Sequence, residues 1–244
     1  IKKLKLTSPD IITLHKELQL IKKKGIDSVI IEASSHGLSQ KRVNGINFKA
    51  GIFTNLSQDH LDYHKSMKKY FESKMILFKE LLKRNNYIIT DQDNKEFTKI
   101  KKISKINKTK VLSINQHNLN EIELNLVGEF QHKNFQMAAL AANLCGLSFE
   151  KINNISKKIK PVNGRLELIK TMPNKVKIFV DYAHTPDALL TVIKSLKNHY
   201  KEDVTLVFGC GGERDKKKRS IMSKIARKLC KKIYVTDDNP RKEN

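Results

Sequence analysis

The stretch VKIFVDYAHTPDALLTVIKSLKNHYKEDVTLVFGCGGERDKKKRSIMSKIARKLCKKIYVTDDNPR, residues 176–241, decides the fold. Short apolar runs at 176–181, 203–209 and 231–236 read as strands. Between them, 186–198 and 216–230 carry the three-to-four-residue apolar spacing of amphipathic helices. A β-α-β-α-β order implies a parallel sheet joined by right-handed crossovers. Such sheets gather ligands beyond the carboxyl ends of their strands. The first strand ends in Asp181-Tyr182-Ala183-His184-Thr185-Pro186, where Thr185 can cap a helix that starts on proline. The second ends in a glycine turn at 209–212, whose backbone N–H groups can approach an anion, with Arg214 beside it as a fork for a carboxylate or phosphate. The third ends in Asp237-Asp238-Asn239-Pro240-Arg241. Taken singly, each of these is an ordinary turn.

Working back along the chain, this pattern starts afresh after Asn163-Gly164. A domain boundary is therefore expected near 160–165, giving domains 1–162 and 163–244. In the first, 11–23 reads as a helix, 28–33 and 50–54 as buried strands, and 66–83 as one long amphipathic helix. Further strands are expected at 86–90 and 109–114. Helices follow at 131–146, with Gly146 as C-cap, and at 149–158, stopping before Pro161. The strand at 28–33 delivers Glu32 and Ser34-Ser35-His36-Gly37, and that at 50–54 leads to Asp59-His60-Leu61-Asp62-Tyr63-His64. Oxygen donors with an occasional imidazole suit Mg²⁺ or Mn²⁺.

The net charge of +23 invites a nucleic-acid reading. Lysine, however, is spread through every segment instead of forming one stripe, and Ile and Asn are abundant too. A compositional drift on solvated faces explains the charge, and no nucleic-acid partner is expected. No apolar run reaches the roughly 20 residues of a membrane helix, so no membrane insertion is expected. The three cysteines, Cys145, Cys210 and Cys230, have neither disulfide-framework nor zinc spacing. Cys145 and Cys230 read as small core residues of a cytoplasmic protein. The chain opens on Ile1 without an initiator Met, as expected of a segment from a longer protein.

Six segments carry more than composition. EASSHGLSQKR (32–42), TNLSQDHLDYH (54–64), GRLE (164–167), DYAHTPDAL (181–189), FGCGGERDKKKR (208–219) and TDDNPR (236–241) stand in this order. Together they resemble the Mur ligases, from about Thr7 to the last residues, and in particular the branch that adds meso-diaminopimelate. The resemblance implies an α/β architecture: a central ATPase-type domain without its P-loop, then a Rossmann-like parallel-sheet domain, both incomplete. It implies an ATP-dependent ligase that activates UDP-N-acetylmuramoyl-L-alanyl-D-glutamate as an acyl phosphate and joins it to meso-diaminopimelate. Magnesium and ATP are the implied cofactor and co-substrate, and a monomer is expected.

Residue by residue, the resemblance assigns Glu32 and His60 to magnesium, with Lys74 in YFESK as a carbamylated lysine ligand. Thr7, Ser8, Ser34, Gln40 and Arg42 match contacts to the UDP-muramoyl-dipeptide. Asn134, Arg165, Asp181 and His184 match positions around ATP. Arg214, Asp238, Asn239, Pro240 and Arg241 match the pocket for the incoming amino acid. Arg241 is the most telling: diaminopimelate has an extra carboxylate, which a guanidinium pairs bidentately. The chain departs from the pattern at Gln131, where Asn is frequent, and at Leu6, whose side chain cannot hydrogen-bond. The P-loop is expected upstream of Ile1. Competing readings are another Mur ligase or a folylpolyglutamate-type ligase, a non-catalytic fragment, and a nucleic-acid binder.

Overall fold

A computed structural model describes residues 7–116, 122–213 and 215–243. Leu6 and Arg214 therefore lie outside the described residues. The chain divides into two compact units. Described residues within 1–56, 64–119 and 136–148 form one, and those within 57–63, 120–135 and 149–244 the other.

The first unit opens with α1 (Ile11–Lys23), matching the expected helix; the Asp10 carboxylate caps it by accepting the Thr13 N–H at 2.9 Å. A short α2 (Ser35–Ser39) and β1 (Phe48–Phe53) follow. After α3 (Leu61–His64), of which only His64 falls in this unit, the helix expected over 66–83 is cut short. It runs as α4 (Met67–Ile76), passes through one π-helical turn at Leu77–Leu81, and gives way to β2 (Leu82–Thr90). A π turn leaves carbonyls without their usual partners, and the Asn107 amide collects two, donating to Phe78 O at 2.9 Å and Lys79 O at 2.7 Å. Then come α5 (Phe97–Asn107) and β3 (Lys110–Ser113).

The three strands form a parallel sheet in the order β1-β2-β3, with Ile88 of β2 opposite Gly51 on one side and Val111 on the other. As the central strand, β2 buries Ile88 completely. Leu14, Val43, Phe53, Met75, Phe78, Ile88 and Ile100 make the core. A methyl group at Gly51 would sit 2.8 Å from the Phe78 ring, so only glycine lets that ring lie on the strand.

The expected strand at 28–33 does not form. The segment keeps a period-two alternation, with Ile31 and Ala33 packed on the core while Ile30 is 94% exposed. A strand also needs a ladder partner, and apolar composition says nothing about whether one is there.

The second unit takes in the first turns of α6 (Glu129–Leu144), then α7 (Phe149–Ser156). An antiparallel pair, β4 (Glu167–Thr171) and β5 (Lys177–Val180), follows. Next are α8 (Pro186–Tyr200), β6 (Thr205–Phe208), α9 (Lys217–Leu229) and β7 (Lys232–Val235). β6 and β7 pair in parallel, as the strand–helix–strand pattern requires. β5 does not join them: its ladder is with β4, which the sequence reading missed. A register shift between Leu168 and Lys170 breaks the alternation that would have marked β4 as a strand. Leu189, Ile193 and Met222 pack α8 on α9 over Leu206 and Phe208. Thr185 caps α8 through the Ala188 N–H at 3.3 Å, with Pro186 in the first turn. Gly146 follows α6 at φ +100°, as a C-cap should. Cys145 corrects the core reading: it is exposed, because it lies in the turn after α6 ends. No helix among the described residues is long and apolar enough to cross a membrane.

Candidate functional site

In the first unit, the segment 32–42 closes around Ser8, which is completely buried. Its hydroxyl lies 3.0 Å from Glu32 O and 3.0 Å from the Ser34 hydroxyl, and accepts the Ser34 N–H at 3.0 Å. Ser34 caps α2, accepting the Gly37 N–H at 3.0 Å. One proton arrangement satisfies every contact: the Ser34 hydroxyl donates to Ser8, and the Ser8 hydroxyl donates to Glu32 O. Arg42 closes the patch, donating from Nη1 to Ser8 O at 3.0 Å and from Nη2 to Gln40 Oε1. Gly37 is required here, since a Cβ on it would lie 2.6 Å from that of Ser8. Ser8 is thus brought together with Ser34, Gln40 and Arg42 of a segment more than twenty residues further on, with exposed Thr7 immediately before Ser8. The Glu32 side chain is exposed at the rim.

Lys74 sits on α4, which packs on α2. Its Nζ lies 5.0 Å from the centroid of the buried Tyr70 ring. Tyr70 stacks on His64 at 5.1 Å and 24°. His64 is buried; its Nε2 is 2.9 Å from the Ser35 hydroxyl and its Nδ1 3.3 Å from that of Ser73. The sequence reading placed Ser35 and His64 in two loops of oxygen and imidazole donors suited to a divalent cation, and gave Tyr70 and Ser73 no role; that these four stand side by side is set only by the fold.

The second unit holds His60, Asn134, Arg165, Asp181 and His184. Asp59 is its electrostatic centre: its Oδ2 lies 3.3 Å from His184 Nε2 and 3.4 Å from His60 Nε2. Burial pushes the Asp59 carboxyl up, but the His184 hydrogen bond, the His60 charge and the His60 N–H outweigh it and hold its pKa at about 2. The same hydrogen bond, which His184 donates to Asp59, raises the His184 pKa above 6.5, against its burial. His184 Nδ1 lies 2.9 Å from Tyr182 O, and its own carbonyl accepts from the buried Lys218 ammonium at 2.8 Å. In a chain so rich in lysine, no sequence signal distinguishes Lys218. Arg165 stacks over Tyr182 at 4.5 Å. Asp181 is a backbone staple, accepting from Leu166 N at 2.8 Å and Ala183 N at 2.7 Å. Asn134 is exposed on α6.

The glycine turn and the Asp-Asn-Pro-Arg turn are zipped together. Gly212 N donates to Asn239 O at 3.0 Å, and Arg241 Nη1 donates to Gly212 O at 2.7 Å. Glu243, also unassigned by the sequence, accepts from Glu213 N at 2.8 Å and pairs with Arg219 at 2.7 Å. Those two donors, the backbone first, hold its carboxyl below the usual range. Cβ atoms on Gly209 or Gly212 would overlap the carbonyls of Thr236 and Pro240, so the turns approach as closely as they do only because both are glycine. Asp238 accepts from the Asn239 amide at 3.3 Å. Lys41, His60, Glu213, Asn239 and Arg241, all in these motif loops, have φ between +47° and +56°. For an L-residue other than Asn or Asp this costs about 1–2 kcal/mol.

Among the described residues, no group of three or more His, Cys, Asp or Glu is gathered to hold a metal. Magnesium does not require one: it keeps several waters and takes one or two protein oxygens beside substrate phosphates. Exposed Glu32 fits that role, and Lys74 fits it only as a carbamate, since an ammonium has no lone pair to offer.

Residues 1–121 match the Mur ligase middle domain, and residues 164–244 match the Mur ligase, glutamate ligase domain. Together these span more than four-fifths of the chain, which belongs to the Mur ligase family. The UDP-N-acetylmuramoyl-L-alanyl-D-glutamate–2,6-diaminopimelate ligase of Leptospira interrogans is 38% identical over 265 residues, spanning 97% of this chain and 52% of that protein. A solved structure of a ligase with the same name superposes with a TM-score of 0.67 at 32% identity, over 97% of this chain and 53% of that one. A Mycobacterium tuberculosis folylpolyglutamate synthase in complex with ADP aligns at TM-score 0.64 and 15% identity, over 80% of this chain and 48% of that one. At that identity the likeness is one of fold alone. The chain spans about half the length of the curated relatives it matches.

Proposed function

We propose that this chain is part of a cytoplasmic, monomeric, ATP-dependent ligase that adds meso-diaminopimelate to UDP-N-acetylmuramoyl-L-alanyl-D-glutamate in peptidoglycan synthesis. Residues 1–162 belong to its central domain and 163–244 to its C-terminal domain. A substrate carboxylate oxygen attacks the γ-phosphorus of ATP, releasing ADP and leaving an acyl phosphate. The diaminopimelate amine then attacks the acyl carbon, phosphate departs, and the nitrogen loses a proton. Thr7, Ser8, Ser34, Gln40 and Arg42 bind the UDP-muramoyl-dipeptide. Asn134, Arg165, Asp181 and His184 serve the nucleotide. Arg214, Asp238, Asn239, Pro240 and Arg241 receive diaminopimelate. Glu32, His60 and Lys74 as its carbamate would hold Mg²⁺, which neutralises triphosphate charge in such transfers.

The observation that carries this reading is the seating of Arg241 on the glycine turn, 2.7 Å from Gly212 O. A guanidinium fixed by the backbone is prepared for a carboxylate, at little further cost in side-chain entropy. The test supplies the full-length gene product with UDP-muramoyl-Ala-Glu, ATP and magnesium, and compares diaminopimelate with lysine. ADP and a diaminopimelate-bearing tripeptide are expected. Preference for lysine, or no ATP-dependent product, overturns the proposal.

A further inference from the structure

We infer that Lys218 is a positioning residue for the nucleotide step: its buried ammonium, reaching across from α9, fixes the His184 turn that follows β5. The inference rests on the reading of His184 as a residue that serves ATP, and its test separates the two. Lys218 Nζ donates to His184 O at 2.8 Å, a bond between residues 34 apart in sequence. The turn has an anchor at each end. Asp181 accepts from Leu166 N and Ala183 N, and Thr185 caps α8. Between these anchors, Lys218 ties the main chain of His184 itself to α9. The imidazole is then set by its neighbour: Nδ1 lies 2.9 Å from Tyr182 O, and the ring stands edge-on to that of Tyr182 at 5.1 Å.

Stability does not explain a lysine in this place. The residue is 8% exposed, and burying an ammonium is costly unless a carboxylate pairs with it. Among the described residues none does. An ammonium has three N–H donors, and the His184 carbonyl engages one. Lys218 is also the second residue of α9, whose first turn holds no acid and where the helix dipole disfavours a cation. On all three counts an apolar side chain would suit the fold better. What lysine supplies is reach: its four-carbon stem carries a donor from α9 to the turn that presents His184.

The experiment uses the full-length protein. Lys218→Met keeps the length of the side chain and removes the donor; Lys218→Arg keeps a cationic donor. Lys218→Met should melt no lower than the unsubstituted protein, since it relieves a buried charge. Its kcat/KM for ATP should nevertheless fall about tenfold or more, because a small misplacement of a positioned group costs up to about a hundredfold. KM for diaminopimelate should hold. The His184 imidazole resonances, assigned by their loss in His184→Gln, should move in Lys218→Met. Lys218→Arg should lie between the other two in kinetics and in resonance position. Failure of Lys218→Met to fold, a parallel rise in KM for both substrates, or His184 resonances that stay in place overturns the inference. Resonances that move while the ATP kinetics hold uphold the seat and overturn instead the reading of His184 as serving ATP.

Discussion

Arg241 Nη1 lies 2.7 Å from the main-chain oxygen of Gly212, so the last arginine of one strand-end loop is anchored on the glycine turn of another. That bond uses one of five guanidinium N–H donors and leaves a fork for a ligand carboxylate. Arg241→Lys keeps the charge and loses the fork. In the full-length enzyme it should raise KM for diaminopimelate about ten- to a hundredfold, the range for a lost charge-assisted hydrogen bond, and leave KM for ATP unchanged. Steady-state kinetics with each substrate varied in turn is the check; a parallel rise in both constants would count against the assignment.

Gly212→Ala should act on the same pocket from beneath. The added Cβ would overlap the Pro240 carbonyl, and backbone on both sides leaves little room to yield. We expect a loss of about 1–3 kcal/mol in urea unfolding. Weaker diaminopimelate binding by calorimetry should accompany it, with nucleotide affinity retained.

Ser8→Ala removes the hub of the first unit's polar patch. The Ser34 N–H would lose its acceptor beside the fully buried Ser8, at a cost of about 1–3 kcal/mol. Ser34→Ala should cost about 1 kcal/mol, the ordinary worth of a helix cap. Chemical denaturation of the two variants should rank them in that order. Both should raise KM for the UDP-muramoyl-dipeptide.

The Asp59–His184 contact sets a pH window. Asp59 falls from 3.8 to about 2 on folding, so its contribution is present above about pH 4 and fades as pH drops toward 2. His184 is raised above 6.5, so its contribution is full below 6.5 and is lost as pH rises through the folded value. The contact is therefore strongest between about pH 4 and 6.5, from the same two shifts. With 47% of the His184 side chain exposed, solvent screening keeps its worth below about 1 kcal/mol. Imidazole titration by NMR should show the His184 pKa falling toward 6.5 in Asp59→Asn. An unchanged titration curve would remove the pairing.

Where the chain's local chemistry and its fold agree, the sequence was a sufficient guide. Thr185-Pro186 opens α8, and Gly146 turns the chain after α6, because capping depends on a few adjacent residues. Pairing partners are another matter. Val29, Ile30 and Ile31 look like a strand, yet no residue among those described ladders with them. Leu168 and Ile169 did not look like one, yet they lie in β4 beside β5. The site divides the same way. Motif residues such as Ser34 and Arg241 could be named from the resemblance to the Mur ligases. Their supports could not: Tyr70, Ser73 and Glu243 matter only through what lies across from them in space.

The left-handed residues in the motif loops have a consequence for anyone evolving this protein. Glycine at Lys41, His60, Glu213 or Arg241 would relieve backbone strain. A screen rewarding heat tolerance alone would therefore drift toward glycine at these positions. Its winners would melt later, and each would have discarded a side chain from the loops where ligands are expected to bind.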